Sequence, residues 1–260
     1  MKDKKTVKVG AVSPKIRLGD VDYNVKACIK EASRAAELGV RVLVFPELTL
    51  TGATCGDLFE HYLFVDRAER GLADFVEATR ELDLLSFVGL PAELDGLLYN
   101  TVAAVYRGEL IGVAVKNDLS YDQERYFSRM ERGIKGINIG GLDTVYLCDG
   151  VLVSPIDGKT VISIGLVSNF KKEGVSIAVC PEAIGYIAGD RKEALSEARV
   201  ISGVNGIAYV TANAGIGEST TDAVYAANNI IADRGEIICE ALPFAKDNLI
   251  VADVVTEKAK

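Results

Sequence analysis

Histidine is nearly missing from this chain: His61 is the only one in 260 residues. A Ser-His-Asp or Cys-His mechanism would have to run through that one residue, and a tetrahedral zinc site would be short of nitrogen ligands. His61 lies in a helix-like stretch and reads as structural. Cysteine is sparse and unclustered: Cys28, Cys55, Cys148, Cys180 and Cys239 contain no C-x-x-C. An odd, scattered set points to reduced thiols and a cytoplasmic setting. Positive charge is also short. The net charge is −8 and no basic run extends beyond Lys2–Lys5, so nucleic acid and anionic membrane are poor partners. No uninterrupted apolar run reaches the ~20 residues needed to span a bilayer. The charged N-terminus runs into a strand and does not read as a secretion signal. What is present is 49 % apolar and 25 % charged residues, enough for a sizeable core in one large domain or two small ones.

The most informative stretch is Val42–Gly52, VLVFPELTLTG. Four apolar residues read as a buried strand. Pro46 ends the pairing because it has no N–H to give. Glu47 follows at once, placing a carboxylate at the carboxyl end of a core strand, where reacting groups collect in α/β sheets. From this stretch alone, a surface glutamate in a turn is an equally good reading.

Around it the chain alternates strands and helices. Val7–Val12 reads as a strand and Asp22–Leu38 as an amphipathic helix with Val25, Cys28, Ile29 and Ala32 on one face. Val40–Phe45 is the next strand, and a strand–helix–strand unit of this length implies parallel strands. Asp57–Leu82 reads as helix in two pieces around Gly71. Leu84–Leu90 reads as a strand closed by Pro91. Leu97–Val105 and Glu109–Val115 form a hairpin on Arg107-Gly108, with Lys116 at its far end. Asn117–Lys135 reads as loop or short helix. Thr144–Leu147, Val151–Val153, Val161–Val167 and Val175–Cys180 are strands, Asp190–Val204 is a helix and Ile207–Thr211 a strand. Val224–Ala232 and Glu236–Leu242 form a hairpin on Arg234-Gly235, and Leu249–Val255 closes the chain. A weak repeat runs through this order. Pro46-Glu47 and Arg107-Gly108-Glu109 in the first half are echoed by Pro181-Glu182 and Arg234-Gly235-Glu236 in the second. Two such halves would pack their sheets together with helices outside, as a four-layer α-β-β-α sandwich of two mixed sheets.

A carboxylate after a buried strand (Glu47) and a lysine ending a hairpin (Lys116) resemble the layout of the nitrilase, or carbon–nitrogen hydrolase, superfamily. VLVFPELTLTG, TCGDLF (Thr54–Phe59), VGLP (Val88–Pro91), LYNTVAAV (Leu98–Val105), AGIGESTTD (Ala214–Asp222) and the opening VKVGAVSPK (Val7–Lys15) are similar to the amino-terminal glutaminase domain of glutamine-dependent NAD synthetase. The matches run in order and span most of the chain, and TCGDLF and GESTTD are the most specific. The resemblance implies one nitrilase-like domain over residues 1–260, with no cofactor and no metal. It implies a small amide or glutamine-like ligand, a homo-oligomer of two or more copies, and a separate NAD synthetase subunit as a possible partner. Amide cleavage takes a nucleophile, a base and a positive group for the oxyanion. The family uses a cysteine, a glutamate and a lysine, and Glu47 and Lys116 match the last two.

The nucleophile does not match. The corresponding run, Ile162–Phe170, has Ser168 at the cysteine's place and Asn169-Phe170 where the family has two acidic residues. Lys171–Gly174 then leads directly to the next strand, where the family has a longer excursion. The loop after Lys116 is shortened too, and either Gln123 or Glu124 aligns with the family's second glutamate. A serine hydroxyl needs far stronger activation than a thiol. Cys180 is the rival nucleophile, although it falls one strand late. No Ser-Gly-Gly-x-Asp-Ser loop of a synthetase domain occurs, and Gly215–Gly217 reads as a turn rather than a phosphate loop. The expectation is a glutaminase-like domain whose hydrolysis is lost. The alternative is an active amidase-class hydrolase using Glu47 and Lys116 with Cys180 or Ser168.

Overall fold

The computed structural model describes residues 5–131, 136–147, 150–165 and 174–256. In the first half, β1 (Thr6–Ala11) leads to α1 (Val21–Glu37) and β2 (Val42–Val44). A 3₁₀ turn (Gly56–Glu60), α2 (Tyr62–Ala78), β3 (Leu85–Leu94), β4 (Leu97–Tyr106) and β5 (Glu109–Val115) follow. A small ribbon, β6 (Gly136–Ile139) and β7 (Leu142–Val145), separates the halves. The second half comprises β8 (Val151–Val153), β9 (Val161–Ile164), β10 (Val175–Glu182), α3 (Asp190–Asn205), β11 (Ala208–Asn213), β12 (Ile230–Asp233) and β13 (Glu236–Glu240). Last comes β14 (Ile250–Val255).

One six-stranded sheet has the order β14-β1-β2-β3-β4-β5, the other β8-β9-β10-β11-β12-β13. Pairing along the two sheets is identical: antiparallel, parallel, parallel, antiparallel, antiparallel. The repeat read in the sequence is therefore a repeat of topology. Pro46-Glu47 follows β2 and Pro181-Glu182 ends β10, strands at the same position in each sheet, and the two Arg-Gly turns join the corresponding hairpins.

Alternation along the central strands assigns the layers. Val42, Val44, Leu85 and Phe87 face Ile162, Ile177, Val179 and Val210 in a core between the two sheets. Their neighbours Leu43, Phe45, Val88 and Leu90 pack instead under Val25, Cys28 and Ala32 of α1 and Leu72 and Phe75 of α2. On the far side, Val175, Ala178 and Cys180 pack under Ala198 of α3. Both faces of each sheet are covered, which is why these strands read as continuous apolar runs.

The structure corrects several boundaries. The second helical stretch breaks at His61, the N-cap of α2, and not at Gly71. Gly71 lies inside α2 where α1 crosses it: a Cβ there would come within 2.9 Å of Val21 and Val25 side-chain carbons. Pro91 does not close β3, whose pairing with β4 runs on from Pro91↔Asn100 to Leu94↔Leu97. Strand β2 pairs only with Leu85–Phe87, so Pro91 lies on an edge free of a second ladder, where proline is tolerated. Val224–Asn229 is not strand. Ala227 turns to φ 51, and Asn229 spends its side chain on buried polar partners before β12 begins. The strand read as Thr144–Leu147 starts earlier, at Leu142, paired with β6. Val161–Val167 is strand as far as Ile164; Gly165 turns to φ 79, and Leu166 and Val167 lie outside the described residues.

Candidate active site

Glu47 leaves β2 in a tight turn in which Leu48 adopts φ 51. The turn lies directly on β3 at Gly89: a Cβ there would approach the Leu48 nitrogen to 2.4 Å and the Pro46 carbonyl to 2.5 Å. Glycine is the residue that lets two backbones come this close. The turn is closed by the Thr51 and Gly52 N–H groups, both donating to the Leu48 carbonyl, at 3.0 and 2.8 Å. The result is a fixed carboxylate that is 2 % exposed.

Three donors converge on it. Lys116 Nζ donates to Glu47 Oε2 at 2.7 Å. Asn100 Nδ2 donates to Oε1 at 2.6 Å. Gln123 Nε2 makes a short bond to the same oxygen. All three contacts are N–H donors, the pattern of a carboxylate acceptor. Lys116 and Asn100 are brought together by the β4–β5 hairpin, where the Lys116 N–H donates to the Asn100 carbonyl at 2.9 Å. The Lys116 side chain is 29 % exposed, whereas that of Glu47 is 2 % exposed.

Of the two loop residues aligned with the family's second glutamate, Gln123 is the one that reaches Glu47. Glu124 pairs with Arg129 on the surface. The other expected residues lie apart. Ser168 is outside the described residues. Cys180 is 1 % exposed and points toward α3, away from the sheet-to-sheet core. Burial and the neighbouring Glu182 carboxylate raise its thiol pKa far above the usual range. Cys28 and Cys55, also buried, are pushed up to about 12. A thiol that keeps its proton is a poor nucleophile. None of the described cysteines is among the hydrogen-bond partners of Glu47 or Lys116.

Three contributors were not singled out from the sequence as site residues. Asn100 is a fully buried asparagine in a mostly apolar strand, and that mismatch was the available signal. Glu218 of the GESTTD motif receives the N–H groups of Ala53 and Thr54 at 2.9 and 3.1 Å and the Thr54 hydroxyl at 2.6 Å. It ties the TCGDLF turn to the second half, so the two most specific motifs of the resemblance form one contact. Glu182 ends β10, Glu47 follows β2, and the Glu182 carbonyl accepts the Glu47 N–H at 3.4 Å. Burial, with Glu197 and Glu47 nearby, pushes its carboxyl up to about 8.

Gln123, which reaches Glu47, also lines a cavity of 870 Å³ together with Thr54, Phe59, Tyr126, Ser219 and Tyr225. That size suits a small ligand. No group of three or more His, Cys, Asp or Glu side chains fit to hold a metal occurs among the described residues, and none of the described helices is long and apolar enough to cross a membrane.

Known proteins resemble this chain in sequence and in fold. It is 29 % identical over 281 residues to the glutamine-dependent NAD(+) synthetase of Mycobacterium leprae, an alignment covering 96 % of this chain and 39 % of that protein. It is 31 % identical over 187 residues to the corresponding protein of Thermotoga maritima, covering 69 % of this chain and 31 % of that one. The chain thus spans well under half the length of these relatives. The structure of a glutamine-dependent NAD(+) synthetase from Cytophaga hutchinsonii superposes with a TM-score of 0.86 at 21 % identity, covering 96 % of this chain and 43 % of that one. An amidase from Nesterenkonia sp. superposes with a TM-score of 0.74 at 18 % identity, covering 96 % and 91 %. The carbon-nitrogen hydrolase family model matches residues 8–184, from β1 through the end of β10. With that match over most of its length, and with the α-β-β-α sandwich around Glu47 and Lys116, the chain belongs to the carbon–nitrogen hydrolase family.

Proposed function

We propose that this chain is a glutaminase-like domain that binds an amide at Glu47 and Lys116 and has lost the ability to cut it. The observation behind this reading is that three of the five cysteines, Cys28, Cys55 and Cys180, are buried with raised pKa values; the sequence resemblance, in addition, implies that Ser168 takes the place of the family's cysteine. Glu47 alone is a weak base for a serine hydroxyl. On this reading residues 1–260 form a single domain that assembles as a homo-oligomer in the cytoplasm. It serves a separate NAD synthetase as a binding or regulatory subunit, a role argued by analogy with the longer relatives. The second reading is an active amidase or glutaminase acting on a small amide. It is favoured by the Lys116–Glu47 pair at 2.7 Å, which retains the base and the cation such chemistry needs.

Ammonia release from glutamine and a panel of small amides separates the two, with Glu47→Gln as the control. The expected outcome is no turnover by the wild-type protein and no labelling of Cys180 by thiol reagents under native conditions. Turnover that vanishes in Glu47→Gln would establish the hydrolase. Ser168→Cys alone is expected to stay inactive because the flanking loops are shortened as well.

A further inference from the structure

We infer that the Gln123 side chain is an internal competitor: a primary carboxamide supplied by the chain itself that occupies Glu47 and must be displaced before an amide ligand can bind there. This deepens the proposed amide-binding reading and rests on it. Gln123 lines the cavity, whereas Glu47 does not. The glutamine side chain therefore stands between the open cavity and the carboxylate, and its Nε2 donates to Glu47 Oε1. Both ends of its carboxamide are used, since Oε1 accepts the Ser120 N–H at 3.2 Å. Chemically it presents to Glu47 the group that a glutamine ligand or any other primary amide would present.

The segment carrying it is built for local release. Its base is anchored: Asn117 and Met130 exchange two hydrogen bonds, and the Ser128 N–H donates to the Leu98 carbonyl at 2.7 Å. Phe127 packs on Phe59 with ring centroids 5.0 Å apart. The tip is open, with Tyr121 90 % exposed. Swinging Gln123 away breaks a few polar contacts and leaves the anchored base in place. A tethered competitor acts at high effective concentration and lowers the apparent affinity of any free ligand by the fraction of molecules in which the site is open. Among the described residues the buried Asn100 Oδ1 has no hydrogen-bond partner, while its Nδ2 donates to the same Glu47 oxygen as Gln123.

The test compares wild type, Gln123→Ala and the remote surface control Glu236→Gln for binding of L-glutamine and acetamide by calorimetry, with ammonia assayed in the same samples. The expected result is that Gln123→Ala binds at least about tenfold tighter, with Glu236→Gln unchanged. A supporting role for Gln123 predicts the opposite sign, so equal or weaker binding by Gln123→Ala overturns the inference. So does absence of binding in both proteins. A second measurement uses the unmodified protein. Saturating acetamide should accelerate hydrogen exchange at the Tyr126 and Phe127 amides, which donate to the Gln123 carbonyl, and slowed exchange there would also overturn it. Ammonia release with a lowered KM in Gln123→Ala would sink the no-hydrolysis reading and leave the internal competitor standing.

Discussion

At the scale of single residues, the site is a carboxylate buried by neutral and cationic donors, with a second carboxyl close by. Glu47 is held by Lys116, Asn100 and Gln123, and Glu182 lies beside it with Glu197, Lys116 and the Tyr209 hydroxyl as neighbours. Raising the Glu182 pKa from the usual 4.5 to about 8 has a definite sign. Between those values the native state holds a proton that the unfolded state has released, so stability falls as pH rises through this window. Above about pH 8 both states are ionised and the loss is complete. Denaturant midpoints from pH 5 to about 9 should therefore decline in the wild type and flatten in Glu182→Gln, which carries no titrating carboxyl. A parallel decline in the variant would show that other groups, such as Glu218, whose pKa is also raised by burial, set the profile. Glu47 and Lys116 were legible in the sequence because each ends a recognisable element. Asn100 was not, and Gln123 only as one of two alternatives with Glu124, since their role depends on which strand and loop lie across from Glu47.

At the scale of elements, helix packing explains where the sequence reading erred. Glycine lowers helix propensity, so Gly71 read as a break. In the fold its missing side chain is what lets α2 approach Val21 and Val25 of α1. Replacing it by alanine gains about 1 kcal/mol of helix propensity and forces contacts at 2.9 Å with two β-branched side chains, at a cost of about 1–3 kcal/mol. Gly71→Ala should therefore lower the denaturation midpoint, and Gly71→Val should lower it further. A raised midpoint in Gly71→Ala would mean that the two helices slide apart freely.

At the scale of the whole molecule, a buried polar network joins the two halves. The Ser13 hydroxyl, just beyond β1, donates to the Asn213 carbonyl at 2.6 Å or the Asn229 Oδ1 at 2.8 Å. Asn229 Oδ1 also accepts the Asn213 N–H, and its Nδ2 donates to the Asn248 carbonyl. Asn248 in turn exchanges two bonds with the Ser13 backbone. Truncation of Asn229 strands several buried polar groups, each costing about 1–3 kcal/mol. Asn229→Ala should destabilise the protein by about 3 kcal/mol or more in chemical denaturation, with both halves unfolding together. A loss below about 1 kcal/mol, or two separate transitions, would show that the halves are held by the apolar sheet interface alone.

By itself the sequence determined the layers, the strand–helix order, the repeat and the family, because each is written in short-range signals: apolar runs, Arg-Gly turns, and motifs of contiguous residues. It also marked Glu47 and Lys116. Only the tertiary structure decided that Gln123 rather than Glu124 covers the carboxylate and that Asn100 completes it. It also decided that Glu182 returns beside Glu47 from the other half, and that Cys180 faces a helix. These are contacts between residues far apart in the chain, fixed by how two sheets pack and by which way alternate side chains point. No local pattern encodes them.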